Sequence, residues 1–318
     1  MIFLFMLFGV LAGIVLANQN PVNAYLRVFV VSPYVASLIS FSIGTIYMGV
    51  VTVATGRSLL PTGAEITSNP WWLWLGGVIA AIYLTSNILL FPKLGAVQTV
   101  ILPILGQVLM GTVIDSFGLF GAKHIPITGM RLFGVVILLL GMFVAVVLAN
   151  RTKAEQIYKD ELEKQDSTTA LTIWRIWGVL VGMLSAIQQA INGRLGTVVH
   201  SPVQATFISF LISWFVILIV TLVVHHTVHI PITAFKQMPK WGWIGGVLGA
   251  TFVLMTVILV PIIGAGLTVT TSLIGQIFGS VLVTQLGLWR SIKSPVKRLQ
   301  VIGILIMLMG VLIIKGIV

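Results

Sequence analysis

The sequence predicts an all-α polytopic membrane protein with ten transmembrane helices, arranged as two inverted five-helix repeats, and three observations carry that prediction. Hydrophobic residues make up 58% of the 318 positions and charged residues only 8%, with a mean hydropathy of +1.11, whereas soluble globular chains are about 25% charged. Ten stretches approach the length of about 20 apolar residues that spans a bilayer. A shift of 169 residues lays the second half on the first without a gap, as a tandem duplication requires.

The expected spans are residues 2–19, 34–54, 71–91, 95–115 and 130–149 in the first half, and 172–192, 203–224, 241–260, 264–285 and 299–317 in the second. The first run resembles a signal peptide ending at Val15-Leu16-Ala17, but Met1 to Phe8 carries no positive charge and the segment recurs in mid-chain. It is read as a membrane helix. Residues that are scarce in this chain still coincide under the shift. Gly13, Gln19, Asn23, Ser32-Pro33 and Ser40-Phe41 fall on Gly182, Gln188, Asn192, Ser201-Pro202 and Ser209-Phe210. Trp72, Trp74, Gly76 and Gly77 meet Trp241, Trp243, Gly245 and Gly246, and Gly106-Gln107 meets Gly275-Gln276. The pairing continues through Gly118, Gly134 and Gly141 onto Gly287, Gly303 and Gly310.

The expected domains are therefore 1–149, a first five-helix repeat; 150–171, a linker; and 172–318, a second repeat. The linker holds nine charged residues, too many to cross a bilayer. Five spans before it make the second half enter from the opposite side, so the repeats are expected to be inverted, with any site at their interface. Of the 18 Lys and Arg, 13 fall on the linker side. The positive-inside rule then puts the linker in the cytoplasm and both termini outside. The net charge of +11 is dispersed through short loops instead of forming a nucleic-acid-binding stripe, and anionic lipid is the expected partner of those charges.

The motif order G-x5-Q-x3-N-x2-L, S-P, S-F, W-x-GG, P-x-x-GA, GQ and a final G-x6-G, present in both halves, resembles the YdcZ-type bacterial membrane proteins of the drug/metabolite transporter superfamily, in a fused two-domain form. The resemblance implies five-helix domains used in antiparallel pairs, a transport role and a bacterial inner membrane. It implies no substrate. Small multidrug exporters of that superfamily couple protons through a first-helix glutamate, and neither first-helix copy here has an acid. Ten-helix relatives commonly keep both termini in the cytoplasm, opposite to the charge count.

Six amides are the candidate substrate-binding residues: Gln19, Asn23, Gln107, Gln188, Asn192 and Gln276. Gln19 and Asn23 are four apart and share a helix face, as do Gln188 and Asn192. Three readings of them are open: lining of a polar cavity, interhelical glue, or, at Asn20-Pro21, the end of the helix. Asp115 is the one carboxylate within or at the edge of a span, which makes it a candidate for proton coupling; a capping role is the alternative. Pro92 to Gly95 and Pro261 to Gly264 are read as turns that make helices three and four, and eight and nine, into hairpins. The Trp residues that open spans are read as interfacial anchors. His225, His226 and His229 are read as loop residues instead of a metal site, because their repeat partners Gly56, Arg57 and Leu60 bind no metal.

The chain lacks cysteine, hence disulfides and thiolate sites, and it has no HExxH, GxSxG or phosphate-binding glycine loop. No cofactor and no enzymatic activity are expected. The expected function is secondary transport of small metabolites or amphipathic compounds by alternating access. A lipid or lipid-linked carrier flippase and a structural or assembly role are the alternatives. A single chain would suffice as an internal antiparallel pair.

Overall fold

The computed structural model describes residues 2–30, 32–148, 168–226, 237–291 and 297–314, and the regular elements among them are helical. The first half contains α1 (Ile2–Val30), α2 (Pro33–Ala54), α3 (Gly63–Thr67), α4 (Gly76–Phe117) and α5 (Gly129–Met142), the last continued by a π-helical turn over Phe143–Leu148. The second half contains α6 (Thr168–Val198), α7 (Pro202–His225), α8 (Gly245–Ile263), α9 (Ala265–Leu286) and α10 (Arg298–Ile314). Among the described residues, six helices are long and apolar enough to cross a membrane, with shorter apolar helices over Leu102–Phe117, Gly129–Ala145 and Arg298–Ile314. Ile46, Val50, Ile219 and Val223 on α2 and α7 are 60–69% exposed, which suits side chains that face lipid instead of water.

Several repeated residues set the ends of these helices. Ser32 and Ser201 cap α2 and α7, accepting the N–H groups of Val35 and Gln204, while Pro33 and Pro202 occupy the first helical position. Gly118 and Gly287 stop α4 and α9 at φ +60° and +65°, a left-handed conformation that glycine adopts without a Cβ clash. The Ser-Pro motif and the paired glycines thus mark the same boundaries in both halves.

The halves interlock. Gly245 packs at Asn23, Gly249 at Gln19 and Leu259 at Gly9, so α8 runs antiparallel to α1. After the break at Gly264 (φ +86°) α9 returns parallel to α1, with Thr271 at Gly9, Gly275 at Gly13 and Gly279 at Ala17. Helix α1 therefore lies in the groove of a hairpin supplied by the other half. The reciprocal arrangement holds for α6 on α4: Gly76 meets Asn192 and Leu90 meets Gly178, and then Leu102 also meets Gly178 while Gly106 meets Met183. In the two remaining pairs, α2 lies on α7 through Phe41 and Phe210, whose ring centroids are 5.5 Å apart, and α5 crosses α10 at Gly134–Gly310 and Gly141–Gly303.

Three expectations change at this level. Helix α1 does not end at Asn20-Pro21 but continues to Val30 with Pro21 inside it, so Gln19 and Asn23 are helical and the helix-end reading falls. The turn expected at Pro92 to Gly95 is not a gap between two helices, because α4 is helical over Gly76–Phe117. It still folds back. Gln107 Nε2 donates to the Tyr83 hydroxyl at 3.4 Å, whereas 24 residues of straight helix would separate them by about 36 Å. In the second half the reversal occurs at Gly264, with Pro261 in the last turn of α8. Arg131, counted above with the loop charges, is buried. The linker up to residue 167 and His229 lie outside the described residues, and His226 forms the left-handed cap of α7.

Candidate functional site

Leu259 packs at Gly9 and Val260 at Gly193, so the start of α1 and the end of α6 meet at one end of the molecule. Asn23 and Asn192 consequently sit toward opposite ends. Each is held in the same way. The Asn23 carboxamide fills the space where Gly245 lacks a side chain, and the Asn192 carboxamide does so at Gly76; a Cβ on either glycine would overlap the amide oxygen. The next glycine of each pair lets the backbones meet, Gly246 at the Ser40 carbonyl and Gly77 at the Ser209 carbonyl. Asn192 Nδ2 also donates to Ser209 Oγ at 3.1 Å. The repeated Asn, Ser-Phe and Gly-Gly motifs are therefore one three-helix junction, built once near each end.

These junctions leave something unsatisfied. Asn23 Oδ1 and Asn192 Oδ1 are buried with no hydrogen-bond partner, as is Gln189 Oε1. A buried acceptor without a donor costs about 1–3 kcal/mol, and weak Cα–H contacts from glycine recover only part of that.

The remaining amides divide between the two hairpins. Gln19 lies along Gly249, its Cδ 2.9 Å from where a Cβ would be. Gln188 is buried on α6 and Gln276 half-buried on α9. Gln107 is buried in a polar group that sequence reasoning missed. There the Tyr83 hydroxyl meets Gln107, Asn87 and Ser185, and Trp177 Nε1 donates to Ser86 Oγ at 3.2 Å. At the positions equivalent to Tyr83, Asn87, Ser185, Ser86 and Trp177 the opposite half has Phe252, Thr256, Leu16, Met255 and Phe8. The signal lies in a difference between the repeats, not in what they share. Gln19 and Asn23 thus face α8 and Asn192 faces α4, while Gln107 bonds within its own half, so the six amides do not gather at one point.

Asp115 occupies a different kind of site. Its fully buried carboxylate accepts from Arg131 Nη2 at 2.8 Å, Ala265 N at 2.8 Å and Gly266 N at 3.0 Å. Arg131 Nη1 donates to the Ile125 carbonyl at 2.6 Å, and Ile125 N donates back to the Asp115 carbonyl at 2.8 Å. Charge opposes charge, and a carboxylate meets the amide N–H groups that open α9, where the helix dipole favours an anion. This network ties the end of α4 to the hairpin of the other half.

A polytopic helical membrane protein with interlocked halves is the class that this geometry defines. The family model described as "Putative inner membrane exporter, YdcZ" matches residues 4–144 and again 173–313, two matches offset by the same 169 residues as the internal repeat. The chain belongs to that family. No curated protein matches it. A solved structure described as "Crystal structure of protein" has a similar fold, with a TM-score of 0.70 over 99% of each chain at 12% identity.

Proposed function

We propose that the chain is a secondary transporter with ten spans in two inverted five-helix repeats, working by alternating access, and that the arrangement described above is a state closed at both ends. One observation carries the reading: the same junction stands near each end, and each buries an amide oxygen without a donor. Parting α1 from α8, or α6 from α4, would free one of these amides for a substrate while the other junction stays shut. Family membership supports the transport role. Domains 1–149 and 172–318 would move as the two bodies, with the 150–171 linker in the cytoplasm and both termini outside. The cargo would be a small metabolite or amphipathic compound bound by Gln19, Asn23, Gln107, Gln188, Asn192 and Gln276.

Proton coupling at Asp115 fits this reading poorly, since a proton there would have to displace Arg131 and two backbone donors. We assign Asp115 to holding the hairpin. Lipid flipping is the second reading. An apolar recess of about 590 Å³ between α2 and α7, walled by Thr45, Ile46, Gly49, Val50 and Phe207, would suit an acyl chain.

The absence of cysteine permits a test that needs no known substrate. A Cβ at Gly245 would lie 3.0 Å from Asn23 Cγ, and one at Gly76 would lie 2.9 Å from Asn192 Cγ, close to the spacing of about 3 Å between a Cβ and the far sulfur of a disulfide. Asn23→Cys with Gly245→Cys is expected to cause less metabolite release from cells when oxidised than when the same variant is reduced. Release unaffected by a complete cross-link would rule out movement at this junction.

A further inference from the structure

On the linker side, the end of α1 meets the turn after α9 in an aromatic and cationic group. Trp289 Nε1 donates to Asn18 Oδ1 at 2.7 Å, and the Trp289 and Trp241 ring centroids are 5.3 Å apart. Trp241 in turn packs on Tyr25 at 4.9 Å. Arg290 Nη1 donates to the Tyr25 hydroxyl at 2.6 Å, with the guanidinium 5.4 Å from the Tyr25 ring centroid. Trp241, Leu288, Trp289 and Arg290 line a recess of about 290 Å³.

The first half shows which of these features the fold requires. Its corresponding turn, Gly118 to Gly121, keeps an aromatic residue, Phe120, at φ +57° against Trp72, with ring centroids 5.4 Å apart. Gly121 takes the next left-handed position at φ +72°, and Arg194 of α6 lies over it. In the second half the pair is exchanged. Tyr25 stands where Arg194 would be, and Arg290 stands in place of Gly121, in a left-handed conformation (φ +58°) that disfavours a side chain. One guanidinium is thus kept at each end of the molecule but supplied from different elements, and Asn18 is replaced by Ile187. The other end closes with Gly121, Arg194 and Ile187 at these places, so the turn itself does not dictate Arg290, Tyr25 or Asn18. These residues therefore need a reason other than packing.

We propose that the Trp241–Leu288–Trp289–Arg290 recess is a binding station for the carboxylate or phosphate of a small amphiphile with a flat apolar body. Tyr25 holds one edge of the guanidinium, which fixes the plane of the other donors for a bidentate anion. The indole rings offer an apolar surface to the body of the ligand. Its volume suits a single group instead of a whole drug-sized molecule. If the chain transports as proposed above, this is where an anionic cargo loads from the linker side; the binding itself does not depend on that.

Two probes separate a free organic anion from a lipid headgroup: 2-naphthoate, and phosphatidylglycerol added to phosphatidylcholine nanodiscs. Thermal stability of the purified full chain reports binding. The variant Arg290→Gly suits the positive φ and is expected to fold, and Arg298→Gln removes an exposed arginine of the same face. At least one probe is expected to raise Tm in the wild type and in Arg298→Gln, with apparent affinity at least tenfold weaker in Arg290→Gly. A shift with naphthoate assigns the station to soluble anions, and a shift with phosphatidylglycerol alone assigns it to lipid. No shift with either probe, or a shift that survives Arg290→Gly or is lost equally in Arg298→Gln, overturns the proposal. Because no transport is measured, a negative result here leaves the transport reading standing, and failure of the cysteine lock leaves this one.

Discussion

Replacing Asp115 with alanine is expected to cost about 3–5 kcal/mol, the usual penalty for removing one partner of a buried ion pair. Arg131, only 5% exposed, would be left charged and unpaired, and Ala265 N and Gly266 N would lose their acceptor at the start of α9. Thermal melting in detergent and the yield of monodisperse protein would register the loss. The double variant Asp115→Leu with Arg131→Met is expected to recover part of it, because an apolar pair of similar volume removes the orphaned charge. If Asp115→Ala instead left stability intact while altering the pH dependence of transport, the carboxylate would be a coupling site.

Placing a leucine at Gly13 is expected to be as damaging by a different route. A Cβ there would overlap the Ser272 carbonyl and lie 2.6 Å from Gln276 N and 2.8 Å from Gly275 Cα. Overpacking in a core costs about 1–3 kcal/mol when side chains can give way. Here the obstacle is backbone, so α1 must leave its groove. Loss of the folded peak in size-exclusion chromatography is the expected result for Gly13→Leu and, by the reciprocal contact with Pro103, for Gly182→Leu. Gly129→Leu, where nothing lies within 4 Å, is the control expected to behave as wild type.

Much of this fold was legible because the duplication filtered the sequence. Residues that recur across the shift became contacts: Gly13 and Gly275 cross, Gly76 receives Asn192, Gly245 receives Asn23, and Ser32 and Ser201 cap helices. The same filter favoured residues that both halves share over those that only one half carries. It selected Asn23 and Asn192 as candidate substrate ligands, and in the structure their carboxamides fill the spaces at Gly245 and Gly76. It passed over Tyr83, Ser185 and Arg290, whose partners Phe252, Leu16 and Gly121 differ in kind, and Trp289, whose partner Phe120 lacks the indole N–H.

Two other features were hidden for physical reasons. That α1 inserts into the opposite hairpin is a tertiary choice, and the hydropathy of α1 is the same whichever half it packs on. Arg131 reads as a loop cation because its position near the start of α5 does not reveal that Asp115, 16 residues earlier, folds back to meet it. Pro21 misled in the opposite sense: proline breaks helices in water-soluble proteins, whereas helices packed in a membrane tolerate it.

Alternating movement of the two interlocked junctions is tested most directly by distances at both ends of one molecule. Spin labels at Val28→Cys and Lys240→Cys report the α1–α8 junction, and labels at the equivalent positions Thr197→Cys and Trp71→Cys report the α6–α4 junction; all four residues are exposed. Double electron–electron resonance in lipid is expected to give two distance populations for each pair, one matching the closed arrangement and one longer. With the Asn192–Gly76 junction fixed by a non-exchangeable cross-link, the Val28–Lys240 pair should keep its longer population. A single closed distance at both ends, unchanged across lipid and pH, would contradict the account.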